Sequence, residues 1–191
     1  MWSFAEIMRR GCQVALDLQP DELQVGLQPT KVGDLETRRV FLADRLENGA
    51  GYAPELSQTT KLKQVLDGIL DELVAEYEGP DHADCAESCP DCLRSWDNRR
   101  LHGALDWRLA LDVAALAAGA KLPTHRWLSQ APRLTDLFVR AYREALPSHV
   151  EEVGQLHAII RNDGKAAVVL GHPLWMHDQK YINEIQAEAY D

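Results

Sequence analysis

An α+β fold, with a small antiparallel sheet, packed helices and a metal-stapled loop, is predicted by three features of this sequence. Leu62, Val65, Leu66, Ile69, Leu70, Leu73, Val74 and Tyr77 recur at intervals of three and four, the buried stripe of one long amphipathic helix. Residues 23–27 and 38–43 are short β-type runs on either side of Gly33 and Asp34, and they predict a hairpin-like pair of strands. After the long helix comes Cys85-Ala86-Glu87-Ser88-Cys89-Pro90-Asp91-Cys92, which gathers three of the chain's four cysteines into eight residues.

At the N-terminal end, Ser3 and Glu6 have capping-box spacing ahead of Ile7, Met8, Cys12, Ala15 and Leu16, which predicts a helix over 4–18 that Pro20 ends. The two strands come next. A turn containing Gly49, Ala50 and Gly51 then leads into the long helix. That turn lacks a Gly-Lys-Ser/Thr ending, so a phosphate loop of the Walker A kind is not supported. Gly79-Pro80 stops the long helix, the cysteine loop comes after it, and a further helix is expected over 105–118. Residues 119–132 read as irregular. Leu134, Leu137, Phe138, Ala141, Tyr142 and Ala145 give another amphipathic helix. Asp163-Gly164 between two apolar runs predicts a hairpin of 156–160 with 166–170. Trp175 is expected to plug the core, and a last helix fits 180–189. Two regions result: a domain over 1–118 that holds the cysteine loop, and a C-terminal extension over 119–191.

Composition narrows the function classes. An apolar fraction of 46% in 191 residues suffices for a real core. The net charge of −10 counts against a free-standing nucleic-acid binder, which usually carries a basic face. Locally the balance differs: Arg94, Arg99, Arg100 and Arg108 surround the cysteine loop, opposed by Asp97 and Asp106. These arginines are the candidate DNA contacts, and a solvated face that pairs its own acids is the alternative. No apolar stretch approaches a membrane span, and the first residues lack the pattern of a signal peptide. A cytoplasmic protein without membrane contact is expected. In that setting clustered cysteines read as metal ligands before they read as disulfides.

The spacing C-x3-C-x2-C suits Zn2+, which takes four soft ligands at tetrahedral corners. Cys85, Cys89 and Cys92 are the expected sulfur ligands. The fourth ligand is expected at His102, which lies ten residues beyond Cys92 and just before a helix, with Cys12, His82 and Asn98 as alternatives. His82 would place all four ligands in one eleven-residue loop. Cys89-Pro90-Asp91-Cys92 also has the spacing of a redox dithiol, but the nearby third cysteine and the Gly/Pro break favour a metal. Four protein ligands make a closed, structural site. No Gly-x-Ser-x-Gly elbow or His-Glu-x-x-His motif is present, and His172, His177 and Lys180 do not match a phospholipase-D-type nuclease. Asp44 and Glu47 are the carboxylates that a divalent cation could use, the basis of a metal-dependent nuclease reading.

The run CAESCPDCLRSWDNRRLHGALDWRLAL from Cys85 resembles the zinc-binding C-terminal domain of mitomycin-repair-factor-type superfamily-two DNA helicases. That domain also recurs in accessory proteins of DISARM phage-defence systems. The strand Phe41-Leu42-Ala43-Asp44 with its glycine turn is similar to the same family, so the resemblance covers about residues 4–118. It implies that the region 1–118 is a zinc-binding, helicase-associated domain. The helicase branch closes its site with a cysteine where this chain has Asn98. This chain is similar to the branch with Asp-Asn-x-x-x-His-x-x-Leu-Asp-Trp-Arg-Leu-Ala, in which the histidine, here His102, takes over. The resemblance implies a non-catalytic module with a structural zinc, associated with a DNA helicase in repair or phage defence and contacting DNA. None of the motor motifs is present. The rival readings are the nuclease and a pure protein-interaction subunit.

Overall fold

The computed structural model describes residues 1–45, 51–176 and 182–187. The chain folds as two compact units, Met1–Pro123 and Thr124–Asp191. The boundary expected from the sequence lies at 118/119.

In the first unit, helix α1 (Trp2–Leu16) runs against helix α5 (Trp107–Ala117) and against the long helix between them in sequence. Its apolar residues Ala5, Ile7, Met8 and Cys12 are buried. The expected capping box is not formed. Met1 is the N-cap, and Ser3 lies inside the helix. The Ser3 hydroxyl donates to the Ala104 carbonyl at 3.4 Å and accepts from the Asp106 N–H at 3.1 Å. Glu6 is buried in an ion pair with Arg9, whose guanidinium also donates to the Ser95 hydroxyl and the Pro20 carbonyl. Both side chains tie α1 to neighbouring segments rather than capping it. Asp17, at φ 53°, turns the chain out of the helix.

Strands β1 (Leu23–Val32) and β2 (Leu35–Asp44) pair antiparallel in one unbroken register, from Leu23 opposite Asp44 to Val32 opposite Leu35. The connecting turn is only Gly33-Asp34. Gly33 has φ 60°, a left-handed conformation that glycine adopts without penalty. The strands run further than the alternating sequence suggested because this two-residue turn lets pairing continue to the tip.

Helix α2 (Tyr52–Leu56) starts on Asp44. That carboxylate accepts the N–H groups of Tyr52, at 3.1 Å, and Ala53, at 3.3 Å. Of the carboxylate pair in the nuclease reading, Asp44 therefore serves as a remote helix cap. Glu47 lies outside the described residues, as do Gly49 and Ala50 of the glycine turn.

The long amphipathic helix is present as α3 (Thr59–Gly68), one π-helical turn (Ile69–Leu73) and α4 (Val74–Tyr77). Val65, Leu66, Ile69, Leu73 and Tyr77 form its buried stripe. At Gly11 the two helices approach so closely that a β-carbon would lie 2.5 Å from Cγ1 of Ile69 and 3.2 Å from Cγ1 of Val65. After a 3₁₀ turn (Pro80–His82), the cysteine loop and a second 3₁₀ segment (Arg99–Ala104), α5 is capped by Asp106. The Asp106 carboxylate accepts from the N–H groups of Arg108 at 2.8 Å and Leu109 at 3.1 Å.

The second unit has helices α6 (His125–Leu128) and α7 (Ala131–Ala141) and an antiparallel sheet of β3 (Ser148–Val153), β4 (Leu156–Arg161) and β5 (Ala167–Leu170). The β4–β5 hairpin turns at Gly164, as its Asp-Gly signal predicts. Strand β3 has no counterpart among the expected elements. Its sequence, Ser-His-Val-Glu-Glu-Val, is that of an exposed edge strand, and pairing with β4 across the Gly154 turn holds it in place. Trp175 is buried. Of the last predicted helix, Glu184–Ala187 is helical as α8, residues 182 and 183 are not helical, and 180, 181, 188 and 189 lie outside the described residues.

We predict that Gly11→Ala destabilises the first unit by about 1–3 kcal/mol, because the added methyl meets packed Ile69 and Val65. A urea melt should show the midpoint falling. An unchanged midpoint would mean that the helices separate at no cost.

Candidate metal centre

Tyr77 ends the long helix, and its carbonyl orients the first ring of the cluster. His82 Nδ1 lies 2.9 Å from that carbonyl oxygen, an acceptor, so Nδ1 carries the hydrogen and the Nε2 lone pair is left for another partner. The imidazole is buried beside the rings of Tyr77 and Trp107, each with its centroid 5.2 Å away. Nε2 comes within 3.4 Å of Cys89 Sγ. Cys89 Sγ is 3.7 Å from Cys92 Sγ, which is 4.0 Å from Cys85 Sγ. The ligand atoms of His82, Cys85, Cys89 and Cys92 all lie within 4.8 Å of one another.

These separations can be tested against a metal. Four donors on a tetrahedron with zinc–sulfur bonds of about 2.3 Å stand roughly 3.7 Å apart, slightly less where nitrogen replaces sulfur. The contacts of 3.4–4.0 Å match those edges. They are far too long for a disulfide bond of about 2.0 Å, and all four cysteines are free. The cluster fits Zn2+, which takes four protein donors of this kind at a structural site.

The loop's backbone is arranged around sulfur. The Cys89 N–H donates to Cys92 Sγ at 3.0 Å, and the Cys89 carbonyl accepts from the N–H groups of Cys92 and Arg94. Helix α5 holds the other side. The Trp107 indole donates to the Cys85 carbonyl at 3.2 Å. The Arg108 guanidinium donates to the same carbonyl at 3.3 Å and to that of Ala86 at 2.7 Å, and it stacks on the Trp107 ring. Tyr77 completes the frame by donating its hydroxyl hydrogen to the Cys92 carbonyl.

Burial pushes the Cys92 thiol up to about 12 and raises that of Cys85. Without a cation both stay protonated at neutral pH, and a bound dication replaces those protons.

The structure brings Cys85, Cys89 and Cys92 together, but the fourth corner is His82 where His102 was expected. His102 Nε2 points at two acceptors, the Ser95 carbonyl at 3.0 Å and Asn98 Oδ1 at 3.1 Å, so it serves as a donor there. Asn98, another alternative, is buried and braces the loop: its carboxamide accepts from the Ser95 N–H and donates to the Leu93 carbonyl. Cys12 is buried in the helical core with its thiol pushed up to about 12, a small apolar side chain outside the cluster. The compactness that counted against His82 is what the Pro80–His82 turn provides.

The candidate DNA contacts divide. Arg99 and Arg100 are exposed and Arg94 is half-buried, its Nε on the Ser88 hydroxyl. Arg108 is only 6% exposed and its guanidinium is spent on the cysteine loop, which removes it from any DNA-contacting surface.

Fold and cluster together define a zinc-stapled α+β module. Residues 4–93 match the family model of the MrfA Zn-binding domain, so the resemblance read from the sequence holds over that segment, which contains all four cluster residues. The chain is also similar to the Druantia protein DruE of Escherichia coli (strain UMEA 4076-1), at 29% identity over 175 residues. That alignment covers 90% of this chain and 8% of DruE, so the chain spans a small fraction of its relative's length. No solved structure matches. Among the described residues no helix is long and apolar enough to cross a membrane.

His82→Ala is expected to lower zinc content sharply, whereas His102→Ala should keep zinc near one per chain. Elemental analysis of purified protein checks both, and the opposite pattern would return the fourth corner to His102. Zinc binding at pH 7 should also release at least two protons, from Cys85 and Cys92, so affinity falls as pH falls. Calorimetry in buffers of different ionisation heat reads this number.

Proposed function

We propose that this chain is a non-catalytic structural-zinc module that serves a DNA helicase in DNA repair or phage defence. The observation that carries the reading is the four-donor cluster: His82, Cys85, Cys89 and Cys92 gather within 4.8 Å of one another, and a metal held by all four would have no position for substrate or attacking water. The MrfA Zn-binding match supports the zinc module, and the helicase side rests on the resemblance of the sequence. On the defence side, the sequence resemblance pointed to DISARM, and the likeness to a Druantia protein supports a defence setting of a different kind. The module would act inside or beside the motor, bracing it and presenting Arg94, Arg99 and Arg100 to DNA. The nuclease alternative loses support because Asp44 caps α2.

Two measurements test the reading. Purified protein should carry one zinc per chain, and chelation should raise amide exchange across residues 80–108, because binding energy at a structural zinc is largely folding energy. Cys89→Ser should reproduce that loss. A metal-free protein with full protection in this segment would end the zinc reading. The helicase association predicts co-elution with a superfamily-two helicase from the same defence or repair locus. Separate elution at micromolar concentration would count against it.

A further inference from the structure

Trp96 is 78% exposed, the most exposed large apolar side chain among those described. It is not on a loose loop. Residues 95–98 form a tight turn whose closing residue, Asn98, is buried and hydrogen-bonded to Ser95 and Leu93. The His102 ring donates into the same turn, and the Arg9 guanidinium holds the Ser95 hydroxyl from α1. The Arg99 guanidinium carbon stands 4.7 Å from the centre of the indole, and the guanidinium donates to the Trp96 carbonyl at 3.2 Å. A rigid turn thus presents an aromatic ring to solvent with a cation against it.

The charge around this ring runs against that of the whole chain. The net charge is −10. At the turn, the acidic group, Asp97, is paired with Arg45 at 2.7 Å, while Arg99 and the exposed Arg100 add positive charge. A planar π face with adjacent cations matches a nucleobase and its phosphates. In a duplex the faces of the bases are stacked on one another, so an indole standing clear of the surface meets a base face only in an unpaired strand.

We propose that Trp96, with Arg99 and Arg100, is a stacking ledge for an unpaired base of a single-stranded nucleic acid. This rests on the reading of the module as DNA-contacting and adds the form of nucleic acid and the residue that recognises it.

The test uses the zinc-loaded chain with a fluorescein-labelled oligothymidylate, an oligouridylate and a duplex of the same length, read by anisotropy at low and moderate salt. The single strands should bind more tightly than the duplex, and binding should weaken with salt. Trp96→Ala should weaken single-strand binding on the order of tenfold to a hundredfold, with zinc content and melting temperature unchanged because the side chain is exposed. Trp96→Phe should retain most of the binding but lose the tryptophan fluorescence quenching that stacking produces. If Trp96→Ala binds the strand as the wild type does, while the double variant Arg99→Ala/Arg100→Ala loses binding, the ledge is overturned and the DNA reading stands. If the wild type binds neither strand nor duplex, both fall, and a protein partner is left as the occupant of this turn.

Discussion

The first unit depends on one constraint: three sulfurs and one imidazole nitrogen must share a space less than 5 Å across. Left to themselves these groups gain little from such closeness. Burial first, and the neighbouring cysteines after it, push the Cys92 thiol up to about 12 and raise Cys85, so the charged forms that would repel one another are avoided by holding protons. A thiol cluster of that kind has only weak hydrogen bonds to hold it. With a dication at the centre, the protons leave and each sulfur gains a strong bond. The loop from Ala83 to Asn98 contains no regular helix or strand, so a metal at the four donors would add to the cohesion that buried Cys92 and Leu93 give it.

The surroundings are built to serve that charge. Three thiolates and one Zn2+ sum to a single negative charge, buried at the end of the long helix. Arg108 offsets it from behind, and its guanidinium lowers the cost of ionising Cys85. The same guanidinium and the Trp107 indole also satisfy the carbonyls of Cys85 and Ala86, which a tight loop cannot pair within itself. The Trp107 backbone N–H donates to the Glu87 carbonyl. Helix α5 is therefore less a neighbour of the loop than its template, and its capping by Asp106 places the Trp-Arg pair where the loop needs it.

Much of this was legible in the sequence because local patterns carry it. The stripe from Leu62 to Tyr77 marked the long helix, Asp163-Gly164 marked a hairpin, and three cysteines at metal spacing marked the site. What escaped depends on contacts that no spacing pattern encodes, some of them close in sequence and some distant. His102 precedes a helix and looked well placed to fold back, but its partners are Ser95 and Asn98, and no spacing rule reveals a hydrogen-bonded turn in advance. His82 is selected by the carbonyl of Tyr77 and by the 3₁₀ turn at Pro80, both set by where the long helix stops. Ser3 and Glu6 have the letters of a capping box, yet residues about a hundred positions away claim Ser3 and a neighbouring arginine claims Glu6. Strand β3 carries too many polar residues to declare itself without its partner.

The arginines show why composition alone could not assign roles here. Arg94, Arg99, Arg100 and Arg108 looked like one basic face around the cysteines. In the folded unit the loop divides them by depth. Arg108 lies beneath the cluster, where a positive charge is needed to balance thiolates, and its burial makes it part of the structure. Arg99 and Arg100 lie on the outer turn, beside an exposed indole that nothing in the first unit's core requires. A residue that stabilises the fold can be read from what it satisfies inside. Trp96 satisfies nothing inside, yet the turn beneath it is braced by Asn98, His102 and Arg9. Rigidity spent on an exposed ring with a guanidinium against it is best accounted for by what the ring meets outside.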